Sequence, residues 1–239
     1  MPELPEVETV VRELSNEICG DSISSVEIFR SNPIVQGDLE AFQQQLIGRT
    51  FKHVTRRAKY LIFHLQPSGY MVAHMRMTGK FIVCDPMDVP SKYNRVWFHL
   101  SSGRLMIFDD VRCFGTLEVY EKLSDSKALS KLGIEPFSED LNVNYFKSKV
   151  ASSKREVKSI LLDQQIIAGL GNIYVSEILF RSKISPLRIT ETIHNKEWSQ
   201  IIKYTQSVLE EAIENNGTTI SDFRRVDDKT GKFQQFLKV

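Results

Sequence analysis

Cysteine is scarce in this chain of 239 residues: Cys19, Cys84 and Cys113 are the only three, they lie far apart, and no C-x-x-C pair occurs. That excludes a disulfide framework and a cysteine-based structural zinc site, and it fits a reducing compartment. No apolar run approaches the roughly 18 residues of a membrane span, and the N-terminus has neither the charged nor the apolar region of a signal peptide. A soluble, cytoplasmic protein is expected. Net charge is equally scarce, at +1 from 31 Lys and Arg against 30 Asp and Glu. Bulk electrostatics therefore favour no polyanionic partner, and any nucleic-acid site must be a local patch. Internal repeats and low-complexity tracts are missing as well.

What remains is ordinary globular material, 41% hydrophobic and 26% charged, long enough for one large domain or two small ones, with two expected. Behind Pro5, the residues Val7, Val10, Val11, Leu14 and Ile18 recur at helical spacing and Gly20 supplies a stop, predicting an amphipathic first helix. Strand-like segments follow at 23–29, 59–65, 70–77, 80–84, 95–100, 104–108 and 114–120, with Gly69 and Ser101-Ser102-Gly103 where hairpin turns belong. Short, closely spaced strands predict an antiparallel β-sandwich. Periodicity lapses at 132–143, around Gly133 and Pro136. The division predicted is an N-terminal part over 1–131, a linker over 132–145 and a helical part over 146–239. Helices are expected at 143–150, 155–163, 172–181 and 196–214, and the closing FQQFLKV has a strand pattern. The fold class is α+β.

Two stretches carry chemistry. The chain opens MPELPEVETV. Proline and acids there suit helix initiation, which accounts for Pro5, Glu6 and Glu8 but not for Pro2. Removal of Met1 by aminopeptidase leaves Pro2 as a free secondary amine with a pKa of about 8, so on the order of a tenth is unprotonated at neutral pH. Such an amine attacks a sugar aldehyde carbon to form an iminium ion, and Glu3 beside it can handle protons. Many chains nevertheless begin Met-Pro with no chemical purpose. The second stretch, GLGNIYVSE at 169–177, is no dinucleotide fingerprint, because a helix precedes it where a strand is required. A glycine-rich turn feeding Asn172 at a helix N-terminus makes a small phosphate site; equally, Gly171 is a plain turn and Asn172 an N-cap.

MPELPEVETV, RRAKYL (56–61), HMRMTG (74–79), DDVRCFG (109–115) and LLDQQIIAGLGNIYVSEILF (161–180) resemble, in order and spacing, the formamidopyrimidine-DNA glycosylase family of bifunctional base-excision enzymes. The resemblance implies a β-sandwich packed by the first helix, then a helix-two-turn-helix domain, with damaged duplex DNA bound between them by a monomer in a DNA-containing, bacterial-type cytoplasm. It implies that Pro2 attacks C1′ of the damaged nucleotide, releases the base and supports β,δ-elimination. Glu3 resembles the catalytic acid and Glu6 a supporting acid, unless Glu6 only complements the helix dipole. Lys59 joins this catalytic group. Lys59 and Asn172 look like the ligands of the phosphates flanking the lesion, with His74 and Lys158 near them; Lys59 follows Arg56 and Arg57, and a basic stripe suits a DNA backbone. Met77, Arg112 and Phe114 match the trio that fills the space of an extruded base, although the residues alone read Met77 and Phe114 as sandwich core and Arg112 as an ion-pair partner.

Residues 217–231 align with the loop that closes over the flipped base, placing Thr219, Ile220, Ser221, Asp222 and Phe223 against it. Members of the family commonly continue into a four-cysteine zinc finger. No cysteine lies beyond 113 here, so no metal or cofactor is expected in this chain, and weakened DNA affinity is. Cys113 also stands where a basic residue is common. Oxidised purines, 8-oxoguanine and formamidopyrimidines, are the implied substrates. Leu4 and the intact trio favour them over the oxidised pyrimidines of the endonuclease VIII branch, and a non-catalytic damaged-DNA binding protein is the rival from another class.

Overall fold

The acids and proline at the chain start do form a helix. In the computed structural model, which describes residues 1–29, 34–89, 92–150, 153–218 and 233–239, helix α1 runs Leu4–Ile18 with Pro5 in its first turn. Glu6 accepts the Glu3 N–H at 2.8 Å, satisfying one of the donors a helix start leaves unpaired. Gly20 ends the turn beyond it at φ 97°.

Among the described residues eight strands follow: β1 (Ile23–Ile28), β2 (Thr50–Arg57), β3 (Tyr60–Gln66), β4 (Tyr70–His74), β5 (Gly79–Cys84), β6 (Asn94–Leu100), β7 (Leu105–Asp110) and β8 (Thr116–Tyr120), with a short helix α2 (Leu39–Leu46) before β2. They form two antiparallel sheets, ordered β1-β6-β7-β5 and β2-β3-β4-β8. A row of tilted rings crosses between the sheets, Phe51 to Phe63 to Phe81 to Phe108, at centroid spacings of 5.7, 5.3 and 5.1 Å. Val7, Val10, Val11, Leu14 and Ile18 of α1 pack into the same core. The predicted sandwich is therefore present.

Strand β2 and helix α2 are additions to the sequence reading. In β2 a register shift between Phe51 and His53 breaks the two-residue alternation, so only Phe51 and Val54 are buried in TFKHVTRR. Helix α2 buries just Phe42 and Leu46. Three strand boundaries also move. Ala58 (φ 53°), Arg76 (φ 52°) and Cys113 (φ 56°) adopt left-handed backbone without being glycine, so Lys59, Met77 and Phe114 lie in turns and not in strands. Register brings those turns to one end of the sandwich, since Tyr60 pairs with His74, His74 with Thr116, and Gly79 with Asp110.

After a short helix α3 (Lys127–Ser130), a second core is built by α4 (Val143–Val150), α5 (Val157–Leu161), α6 (Asn172–Ser182) and α7 (Asn195–Glu214). Phe146 stacks on Trp198 at 4.5 Å, and Leu4 of α1 is packed here and not in the sandwich. The closing FQQFLKV is not a strand. Residues Phe233–Gln235 form a 3-10 turn whose buried Phe233 enters this core beside Tyr174; the apolar spacing that suggested a strand is satisfied by one anchoring ring.

The segment read as a linker is packed between the halves. Gly133 and Ile134 donate N–H bonds to Gln164 O (2.8 Å) and Ile166 O (3.2 Å). The Glu135 carboxylate accepts from Arg56 Nη1 at 2.8 Å, Arg57 Nη1 at 2.7 Å and the Ala58 N–H at 2.6 Å. Arg56 also bonds Glu8. The two arginines thus form a clasp, not a free basic stripe. Burial pushes the Glu135 pKa up, but Arg56, the Ala58 N–H and Arg57 outweigh it and hold the carboxyl below its ordinary value. Its stabilisation is therefore present above the ordinary carboxyl pKa and lost as pH falls through the depressed one. Glu135→Ala removes the carboxylate shared by both guanidinium groups, leaving Arg56 with Glu8 and Arg57 with backbone carbonyls, and is expected to cost about 2 kcal/mol at neutral pH, read from the urea midpoint. A change within a few tenths of a kcal/mol would mean the clasp is only a surface pair.

Candidate active site at the chain terminus

Glycines shape the receiving end of the site. Gly169 has φ 100°, and a Cβ on Gly171 would lie 2.3 Å from the Glu3 carboxyl carbon. That close approach brings the exposed N–H groups at the start of α6 onto Glu3: Gly171 N donates to Oε2 at 2.7 Å, Ile173 N to Oε1 at 3.0 Å, and Tyr174 N to Oε2 at 3.5 Å. Leu4 N–H bonds Gly169 O at 3.1 Å, and Lys59 Nζ donates to Leu170 O at 2.7 Å. The glycine-rich turn does present backbone N–H groups to an acid, but the acid is the chain's own Glu3. Gly171 is the N-cap; Asn172 is the first helical residue, its side chain exposed.

Glu6 is no surface dipole partner. It is buried, and it accepts from the Tyr174 hydroxyl, from Thr218 N at 2.7 Å and from Glu3 N at 2.8 Å. Tyr174 and Thr218 were missed by sequence reasoning. Tyr174 looks like any core aromatic on α6, and nothing in the sequence ties residue 218 to residue 6.

Burial and the charge of Glu6 raise the Glu3 pKa from 4.5 to about 7, against the lowering effects of Lys59 and the Ile173 and Gly171 N–H groups. Burial raises Glu6 too and lowers Lys59, which Glu3 and Glu6 partly restore. Burial, with Arg76 and Lys59 nearby, pushes His74 down to about 3. His74 is thus neutral, with Nδ1 accepting the Arg76 N–H at 2.9 Å. A carboxyl that titrates near 7 can give and take a proton at physiological pH, which is what general acid–base work requires.

Met1, Glu3, Lys59, Met77, Leu170 and Asn172 line one cavity of about 500 Å³. Pro2 is buried and Met1 exposed; removal of Met1 turns the Pro2 amide nitrogen into a free amine. Met77 is 38% exposed and Phe114 51%, which rules out the sandwich-core reading; the Arg112 guanidinium lies 5.2 Å over the Phe114 ring. Lys158 lines a second hollow with Phe180 and Val239, its Nζ donating to Ser176 Oγ at 3.4 Å, one helical turn beyond Asn172. Thr219, Ile220, Ser221, Asp222 and Phe223 lie outside the described residues. Among the described residues, no three His, Cys, Asp or Glu side chains are grouped to hold a metal ion.

Fold and site together define a class: a β-sandwich joined to a helical unit, with a titratable acid and a lysine converging where the chain terminus meets the seam. Residues 1–117 match the family model described as the formamidopyrimidine-DNA glycosylase N-terminal domain, and residues 132–224 that of its H2TH domain. The formamidopyrimidine-DNA glycosylase of Streptococcus pneumoniae R6 is 40% identical over 241 residues, covering all of this chain and 87% of the relative. A Lactococcus lactis Fpg variant solved with DNA containing Fapy-dG superposes with a TM-score of 0.93 at 34% identity, covering 100% of this chain and 88% of that one. The Lactococcus lactis Fpg solved with DNA containing an abasic site gives 0.91 at 33% identity, covering 99% and 87%. The chain belongs to the formamidopyrimidine-DNA glycosylase family, DNA-repair enzymes that act on damaged bases.

The raised Glu3 pKa has a cost in stability. The folded protein keeps this proton up to about pH 7, whereas the unfolded chain releases it near 4.5. The folded state binds more protons between those values, so stability falls as pH rises across that window. Glu3→Gln, which cannot ionise, is expected to flatten the decline, on top of a pH-independent cost from an amide that faces the Gly171 or Ile173 N–H. Urea midpoints from pH 5 to 8 check this, and parallel profiles for the two proteins would contradict it.

Proposed function

We propose that this chain excises oxidised purines, formamidopyrimidines and 8-oxoguanine, from duplex DNA and cleaves the strand at the resulting abasic site, through a Schiff base at Pro2. The observation that carries the reading is the placement of Glu3, with its pKa raised to about 7, next to Pro2 and in the wall of a cavity that Met1 and Lys59 also line.

With Met1 removed, the Pro2 nitrogen lone pair forms a bond to C1′ while the glycosidic bond breaks and the base leaves with its electron pair. The nitrogen then loses its own proton, and its lone pair expels O4′ while Glu3 protonates that oxygen, so the C1′–O4′ bond breaks, the sugar ring opens and an iminium to C1′ forms. The iminium withdraws electrons from C2′, so loss of a C2′ proton expels the 3′-phosphate, and a second elimination expels the 5′-phosphate. Glu3, returned to its carboxylate, can accept such protons. Lys59 has three donors and uses one on Leu170 O, leaving two for a phosphate at the cavity mouth. Exposed Asn172 lines the same cavity and suits the neighbouring phosphate. His74, neutral, serves as a hydrogen-bond donor from Nε2 and not as a cation.

Met77, Arg112 and Phe114 project from one end of the sandwich and are assigned to the space vacated by the extruded base. Emptying that space costs a few kcal/mol of stacking and pairing, which inserted apolar groups and a cation offset.

Borohydride is expected to trap the protein on DNA containing an abasic site with the adduct at Pro2, and Pro2→Gly or retention of Met1 should reduce trapping strongly. Equal trapping by a protein with a blocked N-terminus would eliminate the Schiff base. A separate expectation concerns the wedge: Met77→Ala combined with Phe114→Ala should slow excision of a paired lesion roughly tenfold to a hundredfold, with much less effect on cleavage of a pre-formed abasic site. Single-turnover rates on the two DNA substrates decide it; equal slowing on both contradicts the wedge role.

A further inference from the structure

The three wedge side chains come from two separate turns, 75–78 between β4 and β5, and 111–115 between β7 and β8. Each turn is short, and each contains a non-glycine residue at positive φ, Arg76 in one and Cys113 in the other. Left to itself, either turn has many conformations of similar energy, and ordering it against a duplex would subtract from whatever the wedge gains.

One carboxylate joins them. Asp110, the last residue of β7, is wholly buried. Its Oδ1 accepts the Thr78 hydroxyl from the first turn and the Arg112 N–H of the second at 3.1 Å, while Oδ2 accepts the Gly115 N–H at 2.8 Å. Thr78 Oγ1 also accepts from the Arg112 N–H, at 3.1 Å. The frame around Asp110 is rigid. Its carbonyl accepts Arg95 Nε at 2.7 Å, it pairs in register with Gly79, and a Cβ on Gly115 would meet the Phe108 ring at 2.5 Å. Met77 immediately precedes Thr78, and Arg112 and Phe114 lie within four residues of Asp110.

We infer that Asp110 and Thr78 are positioning residues: their hydrogen bonds clamp the two turns together so that Met77, Arg112 and Phe114 enter the duplex as one preorganised unit. The inference rests on the wedge reading given under the proposed function. Neither residue touches the Pro2 and Glu3 chemistry, and neither lines its cavity. Their contribution belongs to base extrusion and not to the chemical step.

The test uses the whole chain with Met1 removed. Thr78→Val keeps the shape and deletes the hydroxyl; Thr78→Ser keeps the hydroxyl; Asp110→Asn keeps the volume and presents an amide to backbone donors. Single-turnover rates are measured on duplex DNA with a paired formamidopyrimidine lesion and on the same duplex with a pre-formed abasic site, beside Met77→Ala as a control. Thr78→Val should lose about tenfold on the paired lesion, the worth of one buried hydrogen bond, and under about twofold on the abasic site. Thr78→Ser should restore the paired-lesion rate, and Asp110→Asn should shift the ratio the same way as Thr78→Val and further. If Met77→Ala shifts the ratio and Thr78→Val does not, the clamp is overturned and the wedge stands. If neither shifts it, both fail. If Thr78→Val slows both substrates equally with a lowered Tm, the residues hold the fold alone and the inference is wrong.

Discussion

A carboxylate three residues from the start of the chain caps a helix that begins near residue 172. Glu3 takes the Gly171 and Ile173 N–H groups, the positive end of the α6 dipole, in a place with no room for a side chain at Gly171. This contact fixes where the N-terminus lies, and therefore where the nitrogen of Pro2 lies. It also explains how Glu3 can be buried beside a second buried acid, since fixed N–H dipoles and Lys59 stand in for the missing water. Compensation is incomplete, and the remaining penalty appears as a pKa near neutrality. A group held this way destabilises the fold while being poised for proton transfer, the usual pattern where a functional site breaks a local rule.

The rest of the seam keeps that contact in register. Lys59 reaches Leu170 O from the β2–β3 turn, Leu4 of α1 sits in the helical core, and Glu135 clasps Arg56, Arg57 and Ala58 from the segment between the halves. Glu6 adds a fourth tie, to Tyr174 and to Thr218. All four converge within a few residues of the chain start or of Lys59. Any rotation of one half against the other would change the distance between acid, lysine and amine together. The turns that carry Met77 and Phe114 stand at the same end of the sandwich, so the place of Met77 in the cavity wall is also set by the sheet and not by a loose loop.

Much of this was legible in the sequence. The α1 stripe, the strands with clean alternation, and the amphipathic face of α7 around Trp198 and Ile201 all announce themselves by period. Strand β2 did not, because its bulge after Phe51 puts its two buried residues three apart. The turn positions of Lys59, Met77 and Phe114 were hidden because Ala58, Arg76 and Cys113 take positive φ without a glycine to signal it. At the site, local chemistry singled out Pro2, Glu3 and Asn172, and the resemblance added Lys59 and the roles proposed for all four. Long-range partners were invisible: the filling of the GLGN turn by Glu3, the commitment of Arg56 and Arg57 to Glu135, and the burial of Glu6 under Tyr174 and Thr218 are facts of tertiary packing. The terminal FQQFLKV misled because its apolar content resembles a strand, whereas its two phenylalanines, three apart, share a face only in a 3-10 turn.

The site depends on the state of one carboxyl. Carbon-13 NMR of selectively labelled Glu3, titrated in the folded chain that retains Met1, reports its ionisation directly. The structure predicts a midpoint about 7, well above the ordinary 4.5. A midpoint at or below 4.5 would show that the helix N–H groups and Lys59 fully compensate the burial, and the poised acid beside Pro2 would not exist.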